Sequence, residues 1–452
     1  MRKDIHPLLT IVLICLQLFN PVESFAQDGG DRLSLTLAEA QQMALKNNPT
    51  LRINELQIKL ARNTAEQSRQ QRIPQVYGDV NVQRNVILPT TPVPAKAFDP
   101  SAGEDELIHL RFTTQWTANT GINASVDLFN PERAGLIKRA VLEAGLSESD
   151  RQISENQLIF DVGSAFYACM IAEEQLRLAE KDTLTRKKIL DMHERQFEKG
   201  RINLAALNLA KTELNNSRIL LEETEMIFGN SKGQLLALLG IAPGTNIFLT
   251  LTDNGESIPT SEVSVPNETE HPSIGLTRLR QEQAINLLDS RIARRSFLPV
   301  VSLNGYYGAN YFDNRFELFK GSNWYGNSFI NVGLRLPLSE NLLRRKELAS
   351  LKIQEDILAE KVKAKENERQ KNIQEALREL RYNEFQYRRR KENLDMAEQT
   401  TQMISLQYEK GRLLVGDYYQ QLYQFQKERA AYLESKYKLL VSKLSLEKAK
   451  SD

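Results

Sequence analysis

The histidines and cysteines are the residues of this chain that could bind a metal or act as nucleophiles. The four histidines, His6, His109, His193 and His271, lie far apart in the sequence. The pair His193-Glu194 begins like a helical zinc motif but lacks the second histidine that must follow on the same helix face. The sequence also has no glycine-rich phosphate loop, paired-cysteine motif or nucleophile elbow. We therefore expect no metal site, no cofactor and no enzymatic activity.

The N-terminus has the pattern of a secretory signal peptide over residues 1–26. Two basic residues precede an apolar run at 8–19, and Ser24-Phe25-Ala26 form a small-x-small cleavage site. Cys15 lies inside the apolar run and should leave with the signal, so the mature chain keeps only Cys169 and forms no intramolecular disulfide. No later window offers the roughly 20 apolar residues of a membrane-spanning helix.

Charged residues make up 26% of the chain, and the formal net charge is only +1. No cluster of Lys and Arg is interleaved with aromatic residues, so the sequence gives no reason to expect a nucleic-acid partner. Balanced charge with many Leu, Ala, Gln and Glu residues is typical of long solvated helices.

One phrase occurs twice. "QFEKGRINL" at 196–204 returns as "QYEKGRLLV" at 407–415. Gly200 and Gly411 each follow a long helical stretch with a lysine just before them, which is the pattern of a helix stop. Each phrase therefore predicts the tip of an antiparallel helical hairpin.

The sequences around these phrases also pair up, which indicates an internal duplication. We predict a first repeat at 27–239, an equatorial linker at 240–269 and a second repeat at 270–452. The first repeat is predicted to contain a helix at 36–72, a β-hairpin at 73–130 and a coiled-coil hairpin at 131–239 with its tip near 200. The second repeat is predicted to contain a helix at 270–297, a β-hairpin at 298–338 and a coiled-coil hairpin at 339–450 with its tip near 411.

The predicted strands alternate with period two, so that one face is apolar and the other polar. The four strands are expected at about 73–86, 111–129, 298–312 and 328–338. An antiparallel sheet packed on a soluble core would show the same alternation. If the apolar face meets lipid, four strands cannot close a barrel, and open edges cannot remain in lipid. Copies of the chain must then pool their strands, and three copies would supply twelve.

Heptad spacing predicts that the long helices wind on one another. From Leu207 the apolar and small positions step by three and four, and the same spacing places Cys169 in the seam of the preceding helix. Residues 131–199 contain one proline, at the start, so a nearly continuous helix would run roughly 100 Å.

The segments 87–106 and 313–327 are expected to be exposed loops. An aromatic belt near one strand end is expected from Tyr306, Tyr307, Tyr311, Phe312, Trp324 and Tyr325.

The chain resembles the TolC family of outer-membrane efflux and secretion channels. "LTLAEAQQMALKNNPTLR" at 35–52 resembles the N-terminal motif of that family, and "QFEKGRINLAALNLAKTELNNSR" and "QYEKGRLLVGDYYQQLYQFQKER" resemble its two tip-helix motifs. The resemblance extends from about Leu35 to Leu446.

The resemblance implies an α+β membrane protein. Three protomers would form a 12-stranded β-barrel, with four strands per chain, in the outer membrane of a Gram-negative bacterium. The barrel would continue as a long antiparallel α-helical coiled-coil barrel across the periplasm. The implied function is a passive exit duct in a tripartite efflux or type I secretion system. The implied partners are outer-membrane lipid, a periplasmic adaptor (membrane fusion) protein and an inner-membrane pump of RND or ABC type.

The resemblance also implies roles for residues at the two tips. The predicted adaptor contacts are Gly200, Arg201, Leu204, Gly411, Arg412, Val415 and Gly416. Asp417 matches a pore carboxylate of the family, and Gln420 stands where a second aspartate can occur. Together Asp417 and Gln420 are the predicted pore constriction, although Asp417 could also be a solvated residue at a helix N-terminus. Because Ala206 also replaces an acidic residue, the sequence offers little support for a latch of salt bridges.

A second function class stays open on the sequence alone. A secreted coiled-coil scaffold or adhesion protein, whose strands pair in water and through which nothing passes, would have the same periodicities. The sequence does not identify the cargo of a duct.

Overall fold

The structure is a computed structural model. It describes residues 33–242, 244–245, 247–249, 273–338 and 341–451. The helices are α1 (Leu37–Asn47), α2 (Pro49–Gln70), α3 (Arg133–Glu198), α4 (Leu204–Leu239), α5 (Ile274–Arg295), α6 (Asn341–Glu409) and α7 (Val415–Ser451). The strands are β1 (Leu33–Leu35), β2 (Gln75–Arg84), β3 (Thr91–Pro94), β4 (Leu107–Leu110), β5 (Trp116–Phe129), β6 (Ile247–Leu249), β7 (Val300–Asp313) and β8 (Trp324–Arg335). The signal peptide predicted at 1–26 and most of the predicted linker lie outside the described residues.

The main sheet is antiparallel and has the strand order β2-β5-β7-β8. The two predicted β-hairpins are therefore joined through β5 and β7 into one sheet, with β2 and β8 as its open edges. Its strands have 10 to 14 residues, enough for a tilted strand to cross a bilayer. Two strands begin or end away from their predicted limits. β5 begins at Trp116 rather than 111, and β8 runs from Trp324 and ends at Arg335, just before Pro337, which has no N–H for the ladder.

The apolar face of this sheet is exposed. Val80 is 71% exposed, Ile122 56% and Ile330 82%, and the pairing places Ile122 opposite Gly78 and Tyr307. Apart from the end beside the β7–β8 turn, where Ala118 and Tyr311 are buried, no described part of the chain covers this face. Within one chain it is therefore not packed on a soluble core. The opposite face carries mainly Asn, Ser, Asp and Gly residues, together with the aromatic residues Tyr77, Tyr306, Phe312, Tyr325 and Phe329.

Two features of the outer loops were not predicted. The segment expected as an irregular loop at 87–106 contributes to a small sheet of β3 and β4. Tyr311 is fully buried, and its hydroxyl donates to the carbonyl of Arg315 at 3.0 Å while accepting from the backbone N–H of Glu317 at 3.0 Å. This tyrosine fixes the turn between β7 and β8.

The predicted aromatic belt is only partly correct. Tyr307, Tyr311 and Trp324 share the apolar face, because Tyr311 pairs directly with Trp324. Tyr306, Phe312 and Tyr325, however, lie on the opposite, polar face, with Tyr306 near the middle of β7. Strand periodicity alone separates neighbouring residues in this way, so closeness in sequence was a poor guide to a shared face.

The first predicted helix, 36–72, is interrupted. It divides into α1 and α2 at Asn48, whose backbone is extended (φ −65°, ψ 125°). Pro49 disfavours a helical conformation at the preceding residue, and the Asn48 side chain accepts from the N–H of Thr50 at 2.8 Å, which caps α2. Asn48 also donates to the carbonyl of Leu238 at 2.9 Å, which ties the break to α4.

The long helices form two antiparallel hairpins, α3 with α4 and α6 with α7. Helix α3 has 66 residues and α6 has 69, so each runs about 100 Å at 1.5 Å per residue. None of the helices among the described residues is both long and apolar enough to cross a bilayer.

Helix α3 is anchored directly beneath the sheet. At the end of β5, Asp127 forms an ion pair of 2.9 Å with Arg133, in the first turn of α3, and accepts from Asn130 at 3.1 Å. Arg133 also donates to the carbonyl of Asp127 at 3.0 Å. These bonds fix the angle at which the sheet passes into the helical rods.

The core of the helical part lies where α1, α2, α3 and α4 meet. It contains Leu35, Ala40, Ala44, Leu51, Leu158, Val162, Ala165, Phe166, Cys169, Leu235, Leu236 and Leu239. Small residues at many of these positions allow the helices to approach closely. Cys169 is buried there, as its heptad position predicts, and burial raises the pKa of its thiol to about 12. The thiolate needed for reactivity is therefore strongly disfavoured.

Candidate functional site

The candidate site is the end of the two hairpins that carries the repeated phrases. In the first tip, Gly200 has φ +67°, a left-handed conformation that favours glycine. The N–H of Gly200 donates to the carbonyl of Phe197 at 2.8 Å, and that of Arg201 donates to the carbonyl of Gln196 at 2.8 Å. These two bonds close the C-terminus of α3. Asn203 then caps α4 by accepting from the N–H of Ala206 at 2.9 Å.

The second tip repeats this geometry. Gly411 has φ +70°. Its N–H donates to the carbonyl of Tyr408 at 2.9 Å, and the N–H of Arg412 donates to the carbonyl of Gln407 at 3.0 Å. The same two bonds at the same positions of the repeated phrase explain why the phrase occurs twice.

The residues predicted to contact an adaptor are brought together at these tips. Gly200, Arg201, Leu204, Gly411, Arg412 and Gly416 are exposed, and Val415 is half-buried. Leu204 is 56% exposed in the first turn of α4. Their role as partner contacts stays a prediction.

Replacing Gly411 by Ala should destabilise the second tip by about 1 kcal/mol, because alanine is strained in the left-handed conformation. Space is not the cause, since a Cβ at Gly411 would meet nothing within 4 Å. Gly416→Ala is the matched control. Gly416 also has open space around it but lies in α7 without a positive φ, so alanine there should raise stability by roughly 0.5 kcal/mol. Thermal unfolding followed by circular dichroism would show the two opposite shifts.

Just above the tips, a tyrosine cluster joins the two hairpins. Tyr418 and Tyr419, in the first turns of α7, pack against Ile189 of α3. The rings of Tyr408 and Tyr418 stack with centroids 4.4 Å apart and planes within 5°. Burial raises the pKa of Tyr408 to about 12, so its hydroxyl stays neutral at physiological pH.

His193 of α3 lies within this cluster and is 1% exposed. Its Nε2 forms a hydrogen bond with the hydroxyl of Tyr408, and its Nδ1 has no hydrogen-bond partner among the described residues. In the sequence, His193 stands out only as the first half of an incomplete zinc motif, which does not predict this contact. Nothing in the sequence connects it to Tyr408, because the two residues are 215 positions apart.

The His193 contact should weaken in acid. Burial lowers the pKa of His193 below its ordinary value of 6.5. The unfolded chain therefore binds a proton more readily than the folded one, and stability should fall as the pH drops below about 6.5. Tyr408 is hydrogen-bonded to the His193 ring, and Tyr418 stacks on Tyr408.

Melting temperatures measured between pH 5 and 8 would test this expectation. His193→Gln should remove the part of the pH dependence that arises from His193, whereas His109→Gln, at an exposed position of β4, should retain the wild-type profile. An identical acid loss in all three proteins would contradict the assignment.

Ion pairs also link the two hairpins of the chain, at positions away from residues 206 and 420. Asp182 of α3 forms an ion pair with Arg429 of α7 and accepts from Gln426 at 3.1 Å. Both charged side chains are mostly buried. Lys436 of α7 lies 3.5 Å from Glu174 of α3. Charged residues therefore link the hairpins at a level further from the tips than residues 206 and 420.

Asp417 and Gln420 are exposed on the first turns of α7. Asp417 makes no hydrogen bond or ion pair with the residues that the structure describes. Its position fits both hypotheses, because a free carboxylate at a helix N-terminus is stabilised by the helix dipole and could also face a pore. The assignment of Asp417 and Gln420 to a constriction stays a prediction.

The chain is similar in sequence to known outer-membrane efflux proteins. Residues 40–240 match the family model described as outer membrane efflux protein. The chain is 23% identical over 273 residues to the probable efflux pump outer membrane protein TtgC of Pseudomonas putida. This alignment covers 59% of the chain and 53% of TtgC, so the chain spans about half the length of the curated relatives it matches.

Solved structures match over nearly the whole length. The Campylobacter jejuni CmeC outer-membrane channel covers 92% of this chain, with a TM-score of 0.68 and 16% identity, and 85% of CmeC is matched. The Vibrio cholerae outer-membrane protein VceC covers 92% of this chain, with a TM-score of 0.66 and 16% identity, and 96% of VceC is matched. At 16% sequence identity, these similarities show a shared fold.

Together, the two hairpins, the four-stranded sheet and these matches show the fold of the TolC-like outer-membrane channels. Residues 40–240 match the outer membrane efflux protein family, which confirms the resemblance inferred from the sequence. The predicted fold class, with four barrel strands per chain and helical hairpins, is also confirmed, as is the outer-membrane location in a Gram-negative cell.

Proposed function

We propose that this chain is the outer-membrane channel of a tripartite efflux or type I secretion system, and that it acts as a passive exit duct. The observation that carries the proposal is the exposed apolar face of the main sheet, on strands long enough to cross a bilayer. The other face of the same sheet is polar, as the wall of a water-filled lumen must be. The hairpins extend this wall by about 100 Å.

The functional unit of the proposal is a homotrimer. One chain presents two open edges, β2 and β8, and unpaired backbone groups at those edges cannot be satisfied by lipid. Closure between copies pairs the β2 edge of each protomer with the β8 edge of the next. Three copies give twelve strands, and their hairpins form one shared tunnel.

The partners proposed are a periplasmic adaptor at the tips and an inner-membrane pump of RND or ABC type. Support comes from the exposure of the two tip turns, which present Arg201 and Arg412 next to the apolar residues Leu204 and Leu414. Both tips have the same backbone geometry. An adaptor could therefore recognise the two tips of each chain by similar contacts.

A two-part experiment separates the duct from a secreted scaffold. Membranes from cells that express the full chain are washed with carbonate, and the retained protein is purified in detergent and added to a planar bilayer. Retention in the membrane and discrete conductance steps are expected. Release into the soluble fraction, or a purified detergent-free monomer, would overturn the duct.

The cargo is expected to be selected at the pump rather than in a duct lined mostly by generic polar side chains. Two relatives from Pseudomonas putida are named as the outer membrane proteins of an antibiotic efflux pump and of a toluene efflux pump. Growth of a deletion strain across a panel of antibiotics, solvents, dyes and metal salts would identify the cargo class, with the restored gene as control.

Asp417→Asn tests the proposed constriction. Three copies of Asp417 would form a ring of carboxylates, which attracts cations and repels anions. The variant should lower the ratio of cation to anion permeability, measured from reversal potentials in a salt gradient, by about threefold. Asp417→Glu keeps the charge and should keep the selectivity. An unchanged reversal potential in Asp417→Asn would remove this residue from the gate.

A further inference from the structure

The polar face of the main sheet carries an aromatic patch at mid-height. Cross-strand pairing places Tyr77, Asn123, Tyr306 and Phe329 in one row across β2, β5, β7 and β8. Above and below this row the same face carries mainly Asn, Ser and Gly. Phe312 and Tyr325 lie on the same face nearer the β7–β8 turn. At mid-height, three aromatic rings in one row stand out among small polar residues.

Tyr306 is held flat against the wall by two glycines. A Cβ at Gly121 would lie 2.7 Å from the Tyr306 Cζ, and a Cβ at Gly308 would lie 2.5 Å from its hydroxyl oxygen. No larger residue fits at either position without displacing the ring. The hydroxyl donates to the carbonyl of Thr120 at 3.2 Å. The two glycines thus provide a shelf on which the ring lies, with the ring face turned outward from the sheet.

Phe329 extends this aromatic surface. Its ring stacks beside that of Tyr306, with centroids 5.6 Å apart and an angle of 26° between the planes. Phe329 is 49% exposed and Tyr77 is 56% exposed. The aromatic faces are therefore accessible to a solute on this side of the sheet.

A carboxylate lies at the edge of the shelf. Asp79 is directly opposite Gly121, the residue that the Tyr306 ring covers, and is two positions from Tyr77 on the same face. It accepts hydrogen bonds from the side chains of Asn123 and Asn81, the latter at 3.3 Å. Two amide donors fix its position, and neither neutralises its charge.

We propose that Tyr77, Asp79, Tyr306 and Phe329 form a low-affinity site inside the barrel for organic cations that carry an aromatic group. The proposal rests on the proposed function, because this face lines a lumen only if the chain forms a barrel. Aromatic faces attract an ammonium group through the ring quadrupole and stack with an aromatic body. The Asp79 carboxylate supplies a charge of opposite sign, so the site favours solutes that combine both features.

The site reaches both edge strands of the sheet, so the sites of neighbouring protomers would lie close together. Tyr77 lies on the edge strand β2, and Phe329 lies on the edge strand β8. Closure of the barrel brings the β2 edge of each chain beside the β8 edge of its neighbour. The three patches then lie around one lumen, and a cation passing through meets them at a similar depth.

Block of the channel current tests the site. The full-length channel is reconstituted in a planar bilayer, and benzyltrimethylammonium is added on the side of the outer loops. A concentration-dependent block is expected. Benzyl alcohol, which has the ring without the charge, and added potassium, which has the charge without the ring, should not block at the same concentrations.

Two variants and one matched control assign the block to these residues. Tyr306→Leu and Asp79→Asn should each raise the half-blocking concentration by about threefold to fivefold. Tyr307→Leu is the control, because this adjacent tyrosine faces the opposite, apolar side and its replacement should leave the block unchanged. Asp79→Asn retains a hydrogen-bonding side chain, so it tests the site even if Tyr306→Leu fails to assemble.

The outcomes distinguish the two proposals. A conducting channel that benzyltrimethylammonium does not block, or one blocked equally well in wild type, Asp79→Asn and Tyr306→Leu, overturns the site and leaves the duct in place. A protein that forms no channel overturns both, because the patch then lines no lumen.

Discussion

Phe166→Ala should lower the free energy of unfolding by about 3–5 kcal/mol, the cost of removing a large side chain from a core that cannot collapse around the space. Phe166 is fully buried among the residues where four helices meet, and its ring contacts that of Tyr167 edge to face at 5.9 Å. The same core holds the break between α1 and α2 against α4. We therefore expect a lower melting temperature and reduced recovery of assembled protein from membranes.

Phe197→Ala is the control for this prediction. Phe197 lies on the same helix, α3, but is 40% exposed near the first tip. It should cost less than about 1 kcal/mol, as substitutions at the surface usually do. Melting followed by circular dichroism in the same detergent compares the two. Equal shifts for both variants would show that the core around Phe166 does not limit stability.

The sequence was sufficient for the features of the fold that depend on local periodicity. The two-residue period identified four strands, and the heptads identified the seams of the hairpins. The repeated glycines located both tips because a positive φ after a long helix strongly favours glycine. Gly200 and Gly411 have that conformation in the structure. The break at Asn48 was readable from the proline that follows it, and the predicted continuous helix was wrong at that point.

The contacts between the hairpins could not be predicted in this way. Asp182 and Arg429 are 247 positions apart, and the chain has 58 acidic and 59 basic residues. The spacing of charged residues predicts ion pairs within one helix, but it does not predict which residue of another helix forms a pair with them. The aromatic patch on the polar face of the sheet was not predicted, for a related reason. It depends on the register between strands from both halves of the chain, which brings Tyr306 over Gly121.

Asp182→Arg should loosen the second hairpin from the first and raise the mean single-channel conductance. The variant places a second cation against Arg429, whose side chain is only 16% exposed. A poorly solvated cation without a counter-ion is costly, at about 3 kcal/mol when its partner is removed and more with a like charge beside it. Because α3 and α7 meet along this line, the strain is relieved when the tip end of the second hairpin moves away. Under the proposed function, that movement widens the tunnel at its periplasmic end.

The swapped pair Asp182→Arg with Arg429→Asp restores opposite charges at the same place and should return the conductance toward the wild-type value. Glu392→Arg is the matched surface control, because the pair of Glu392 with Arg389 is exposed on both sides and lies within α6. Exposed pairs contribute little, so this reversal should leave the conductance unchanged. A higher conductance that persists in the swapped double variant would show that side-chain size, rather than charge, holds the hairpins together at this level.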